Sequence, residues 1–110
     1  MDLITEKIGD ITVAAVRVKV LDASNAKEFK LAVAPIFEGT QKVILDLTNV
    51  TFIDSTGCGA LIFCLKQLNA TGGGLKIFGV QNPVRNLFER IRLHRTIDIL
   101  NTKEEAVEAF

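Results

Sequence analysis

The sequence has no excess charge of either sign. Its 110 residues carry 13 lysines and arginines against 13 aspartates and glutamates, so the formal charge at neutral pH is zero. That balance argues against a general nucleic-acid binder, which would show a basic surplus or stripe. Cysteine is scarce: only Cys58 and Cys64 are present, and the start Met1-Asp2-Leu3-Ile4-Thr5-Glu6 has no basic stretch followed by an apolar run. Two cysteines without a secretory signal do not suggest a disulfide framework. The single histidine, His94, stands between Arg92-Leu93 and Arg95 and reads as a surface residue. No apolar stretch approaches the roughly 18–20 residues of a membrane span. Against these absences stands a hydrophobic fraction of 48% and a charged fraction of 24%, the balance of a globular chain. The length suits one domain over residues 1–110, burying roughly two thirds of its unfolded surface. The expectation is a small, soluble, cytoplasmic protein with no nucleic-acid or membrane partner.

Hydrophobic periodicity then gives an order of elements. Leu3–Ile8 and Ile11–Val20 read as a strand pair joined at Gly9-Asp10. The second strand switches phase, with Ile11, Val13 and Ala15 on one and Val16, Val18 and Val20 on the other, so it has a bulge or is buried on both faces. Ala26, Phe29, Val33, Ile36 and Phe37 repeat at helical spacing, with Ser24 as cap, Gly39 as stop, and Pro35 kinking or ending the last turn. Val43–Leu47 suits a central strand. Ala60-Leu61-Ile62-Phe63-Cys64-Leu65 and Leu68 lie in a helix apolar nearly all round, which predicts deep packing.

Gly72-Gly73-Gly74 reads as a turn into a strand over Leu75–Val80. Asn82 as cap and Pro83 at the first helical position open a third helix, with Val84, Leu87, Phe88 and Ile91 on one face. Thr96–Leu100 is a short edge strand, and Thr102-Lys103-Glu104-Glu105 is a capping box ahead of a final helix with Ala106, Val107 and Phe110 inward. The pattern predicts an α/β fold: a mixed, mostly parallel central β-sheet of 4–5 strands with about 4 helices packed on it.

The chemically informative stretch is Asp46-Leu47-Thr48-Asn49-Val50-Thr51-Phe52-Ile53-Asp54-Ser55-Thr56-Gly57-Cys58-Gly59, a strand end, a polar loop and a helix start. Ligands and partners of parallel α/β sheets are met at the carboxyl ends of strands. Asp54, Ser55 or Thr56 could cap the helix, and Gly57 and Gly59 permit close approach of another backbone or a partner. One reading is a well-capped helix and nothing more. Enzyme readings fare poorly: Asp54-Ser55-Thr56-Gly57 has one residue too many for an aspartic-protease motif, and Ser55 has no base nearby in sequence and no Gly-x-Ser-x-Gly frame. Cys58 and Cys64 lack metal-ligand spacing and read as core thiols, and the triple glycine precedes a strand, so it is no phosphate loop.

The run Val43-Ile44-Leu45-Asp46-Leu47…Phe52-Ile53-Asp54-Ser55-Thr56-Gly57-Cys58-Gly59 resembles the signature of STAS-domain anti-sigma factor antagonists. Leu21-Asp22 with Asn25-Ala26 and Phe29, the glycine-rich turn before Leu75, and Pro83-Val84…Leu87-Phe88 extend the likeness over nearly the whole chain. Two positions depart from it: Lys19-Val20 stand where glycine and a polar residue are common, and Cys58 where an aliphatic residue is.

The resemblance implies a STAS-like fold and a bacterial switch. The unphosphorylated protein binds an anti-sigma factor serine kinase and frees the sigma factor. The kinase phosphorylates Ser55, and a metal-dependent serine phosphatase reverses this. Asp22, Asp54, Ser55, Thr56 and Gly57 would meet the partner. No catalytic residue, metal or cofactor is implied, and the free protein is expected to be a monomer. Two other readings stand beside it: a non-cycling STAS subunit of a transporter or stress-sensing complex, and a hydrolase using Ser55.

Overall fold

The computed structural model describes residues 1–110. Its centre is a five-stranded sheet in the order β1-β2-β4-β6-β7. The strands are β1 (Leu3–Ile8), β2 (Ile11–Val16), β4 (Lys42–Asp46), β6 (Gly74–Phe78) and β7 (Asp98–Leu100). The β1–β2 hairpin is antiparallel, with Ile8 opposite Ile11, and the remaining pairs are parallel. This is the mixed, mostly parallel sheet the sequence predicts. A second, two-stranded parallel ribbon joins β3 (Val20–Leu21) to β5 (Phe52–Ile53). The helices are α1 (Ala26–Glu38), α2 (Ser55–Ala70), α3 (Asn82–Arg90) and α4 (Lys103–Glu108), with a 3-10 turn at Leu93–Arg95.

The sheet has two unequal faces. Ala14, Val16, Val43, Leu45, Leu75 and Ile77 turn toward α1, α2 and α3 and form the main core with Phe29, Leu61 and Phe88. Ile11, Val13 and Ile44 turn the other way, against Ala106 of α4 with Val107 and Phe110 beside it. β2 and β4 are therefore covered on both sides, which is why they read as continuous apolar runs. Thr12 is the exception: its Oγ1 is buried with no hydrogen-bond partner.

Several local expectations shift. The strand expected to run to Val20 leaves the sheet after Val16, because Lys19 to Leu21 pair instead with the segment before α2. The Thr51 amide donates to the Lys19 carbonyl at 2.8 Å. Pro35 neither ends α1 nor marks its last residue, since the helix continues to Glu38. The carbonyl that Pro35 deprives of a donor belongs to Leu31, which is exposed, so water can take the missing bond.

Asn25, not Ser24, precedes the first turn of α1, and its side-chain oxygen accepts from the Asp22 amide at 3.0 Å. Gln81, not Asn82, is the N-cap of α3, because its carbonyl already accepts the first helical bond, from the Arg85 amide at 2.8 Å. β6 ends at Phe78, short of the expected Val80, and β7 starts at Asp98 instead of Thr96 because the 3-10 turn occupies the approach. The Thr102 cap is as expected: its hydroxyl accepts from the Glu105 amide at 3.1 Å. Gly72 and Gly73 make the predicted turn, with Gly72 in the left-handed region at φ 84, and Gly74 already opens β6, one residue ahead of the expected Leu75.

Candidate functional site

The site grows from the β3–β5 ribbon. Two strands of two residues have little cohesion of their own, and the surrounding loops supply the rest. Leu21 and Ile53 point inward and are buried, whereas their neighbours Val20 and Phe52 point outward, 37% and 53% exposed. Val20 and Phe52 are direct partners in the ribbon, so they form one apolar patch. Sequence reasoning assigned neither to the surface. The available signal was strand alternation: adjacent residues of a strand point to opposite faces, so in a ribbon covered on one side only, one of each pair faces out.

From Ile53 the chain passes through Asp54 into α2. Three residues could have capped this helix, and the structure selects Asp54, which sits in extended conformation at φ −97, ψ −175. Its Oδ1 accepts from the Gly57 amide at 2.8 Å. Its Oδ2 accepts from the Ala23 amide at 3.2 Å, in the loop between β3 and α1. Asp22, at the start of that loop, turns its own carboxylate back: Oδ1 accepts from the Ser24 amide at 2.9 Å and from the Ser24 hydroxyl. Both aspartates thus serve as loop braces, Asp54 between segments and Asp22 within one.

With Asp54 as the cap, Ser55 and Thr56 become the first two residues of α2, and both are exposed. The Ser55 hydroxyl has no hydrogen-bond partner within the protein. The backbone amides of such first-turn residues lack intrahelical acceptors and carry the positive end of the helix dipole. Gly57 faces inward. A Cβ there would overlap the Leu21 carbonyl oxygen and lie 2.7 Å from Ile53 Cγ2, so only glycine lets α2 start against the ribbon. Gly59 faces outward, with open space where a side chain would stand.

Behind this rim one side of the helix is buried. Cys58 and Cys64 are buried free thiols, as expected. Burial pushes the Cys58 thiol up to about 11, with the Asp54 carboxylate adding to the effect, and pushes the Cys64 thiol up to about 12. Neither is a nucleophile near neutral pH. α2 is not packed on every side: Phe63 remains partly exposed, with the Lys30 ammonium 4.9 Å from its ring centre.

Four of the five sequence-selected residues therefore meet at one rim, Asp54, Ser55 and Thr56 in sequence and Asp22 through the loop that Asp54 holds, whereas Gly57 is buried behind it against the ribbon. The rim is not a cavity. The largest hollow, about 530 Å³, lies between Lys7, Asp10 and the end of α1. Five hollows of about 220 to 530 Å³ lie elsewhere on the surface, and none of them is lined by Asp22, Asp54 or Ser55. His94 lines a separate hollow with Arg85 and Glu89, and no hydrogen bond joins Ser55 to a base. No group of three His, Cys, Asp or Glu side chains is placed to hold a metal ion. No helix is long and apolar enough to cross a membrane. A flat rim of exposed hydroxyls, free helix-end amides and an apolar pair suits contact with a protein surface.

Residues 2–106, which span the sheet, the ribbon and the capped start of α2, match the STAS domain family, and the chain belongs to it. Over its full length it is 28% identical to BtrV of Bordetella bronchiseptica, named as a candidate anti-sigma factor antagonist, and spans 95% of that protein. The fold superposes on a candidate anti-sigma factor antagonist of Thermotoga maritima with a TM-score of 0.86 and 25% identity, covering 97% of this chain and 92% of that one. It also matches the anti-sigma factor antagonist SpoIIAA in its unphosphorylated form, TM-score 0.77 and 19% identity, over 98% of this chain and 95% of that one. SpoIIAA in its phosphorylated form matches with a TM-score of 0.69.

Proposed function

We propose that this chain is an anti-sigma factor antagonist switched at Ser55. Unphosphorylated, it docks its Asp22–Asp54–Ser55 rim on an anti-sigma factor that is also a serine kinase, and so frees the sigma factor. The kinase phosphorylates Ser55 and ends the complex, and a metal-dependent serine phosphatase restores the binding form. It acts in bacterial cytoplasm as a binding protein and not as an enzyme. The observation that carries the reading is the Ser55 hydroxyl, exposed at the first position of α2 and without an internal partner. Likeness to BtrV along the whole chain supports it.

The physics of the switch follows from the braces. A phosphate adds about −1.5 to −2 charge. The helix end favours that charge by about 0.3–1 kcal/mol when exposed, and the Asp54 carboxylate beside it opposes it. Asp54 cannot turn away without giving up the Gly57 and Ala23 amides. The local terms offset one another, and the fold stays as it is. The effect falls on the interface, where a desolvated phosphate beside Asp54 has no cation to meet it.

The test is affinity capture with Ser55→Ala and Ser55→Glu baits, with the captured kinase then given ATP and the wild-type protein. Ser55→Ala should hold a kinase-type anti-sigma factor, Ser55→Glu should not, and mass spectrometry should find phosphate on Ser55. Capture of such a kinase that leaves Ser55 unmodified, or equal capture by both baits, overturns the reading.

A further inference from the structure

The neutral total hides a division. Between Gln81 and Ile97 there are four arginines, Arg85, Arg90, Arg92 and Arg95, and one acidic residue, Glu89. The remainder of the chain holds nine basic residues against twelve acidic ones. The type of cation divides as well: this segment has arginine and no lysine, whereas the remainder has eight lysines and only Arg17. None of the four arginines enters an ion pair, and all the ion pairs of the fold lie elsewhere. Arg85 makes one long hydrogen bond, to Asn101 Oδ1 at 3.4 Å.

Two further observations fall on the same segment. Arg92, just past the end of α3, is the sole non-glycine residue in the left-handed region, at φ 60 and ψ 34. Glycine is the unstrained choice at that place after a helix, so the arginine stands there against the local backbone preference. Ile91 beside it is 45% exposed, an apolar residue among charges. Arg85, Glu89 and His94 line a hollow of about 350 Å³ with Phe88 and Ile99, so the 3-10 turn packs back against the helix, and Arg90, Arg92 and Arg95 are exposed around the same helix end.

We propose that the end of α3 and the turn after it form a docking patch for an acidic segment of a partner protein. The arginines grip carboxylates in bidentate forks and Ile91 supplies an apolar anchor. Arginine is enriched and lysine depleted at protein interfaces, and the planar fork matches a carboxylate. A diffuse pull toward lipid or nucleic-acid phosphates would be met as well by lysine. The patch also lacks an exposed aromatic ring for base stacking, Phe88 being buried. It is distinct from the Ser55 rim. α2 and α3 both start at the carboxyl edge of the parallel strands, where Ser55 lies, and the arginines from Arg90 onward lie at the far end of α3.

The experiment measures binding of the full chain to a fluorescein-labelled peptide of glutamates interrupted by leucine, with a glutamine-for-glutamate control. Vesicles containing phosphatidylserine and a single-stranded DNA oligomer serve as competing arms. The acidic peptide should bind and the control should not. Replacing Arg90, Arg92 and Arg95 together by lysine should weaken binding about tenfold although charge is kept. Arg92→Gly should weaken it while the melting temperature holds or rises. No binding to the peptide, equal binding by the lysine variant, unchanged binding by Arg92→Gly, or preference for vesicles or DNA overturns the proposal.

Discussion

Asp54 and Ala23 lie 31 residues apart and are joined by a 3.2 Å hydrogen bond from the Ala23 amide to the carboxylate that also caps α2. One side chain thus ends the ribbon, starts a helix and holds a second loop. Asp54→Ala removes both bonds and should cost about 1–2 kcal/mol of stability. Asp54→Asn keeps an acceptor for the Gly57 amide and should cost less. Urea denaturation of the two variants checks the ranking.

Glycines two residues apart in α2 should respond with opposite signs. At Gly59 a methyl group meets nothing, so Gly59→Ala should stabilise by about 0.5–1 kcal/mol through helix propensity. At Gly57 the same methyl meets the Leu21 carbonyl, a backbone atom that cannot step aside. Gly57→Ala should destabilise by about 1–3 kcal/mol despite that propensity. Thermal melts of the pair give the answer directly.

Thr12 offers a gain. Its buried hydroxyl has no partner, and valine has nearly the same shape without the polar atom. Thr12→Val should raise stability by about 1 kcal/mol. A denaturation midpoint at or below that of the wild type would show that the hydroxyl is satisfied after all.

The thiols give a pH dependence of known sign. In the folded chain Cys58 and Cys64 hold their protons up to about 11 and about 12, against a reference of 9.0. Above pH 9 the unfolded chain releases these protons and the folded chain keeps them, so stability falls as pH rises from 9 toward 11. Below pH 9 the two thiols contribute no slope. A thiol reagent at pH 8 should modify neither cysteine in the native protein and both in strong denaturant.

Ser55 should be silent in stability. Its hydroxyl is exposed and unbonded, so Ser55→Ala should shift unfolding by no more than about 0.5 kcal/mol. A larger loss would mean that Ser55 helps hold the rim together.

Much of this was legible in the residues. The doubly buried strands announced themselves as runs of β-branched residues, and the helices as spaced apolar ones. The Asp-Ser-Thr-Gly start of α2 was legible from its residue types as a capped helix start, and as a site only through the resemblance to STAS-domain antagonists. The ribbon did not. Lys19–Leu21 follow β2 without punctuation, and their departure to pair with Thr51–Ile53 is a long-range choice that no local pattern encodes. The same holds for the Ala23 amide as the second partner of Asp54. Cap positions slipped by a residue at Asn25 and Gln81 because which carbonyl takes the first helical bond is decided by where the preceding loop is anchored.

The crossing of the ribbon has a consequence for reagents. Half of the Ser55 rim comes from residues 20–23 and half from residues 52–57, and every tie between them is tertiary. A linear peptide spanning Thr51 to Gly59 would carry the serine and its acidic neighbour but neither the Ala23 amide nor the Leu21 carbonyl that set the helix start. Such a peptide should be neither substrate nor competitor for whatever reads the native surface. Inhibitors and antibodies aimed at this rim have to be raised against the intact fold.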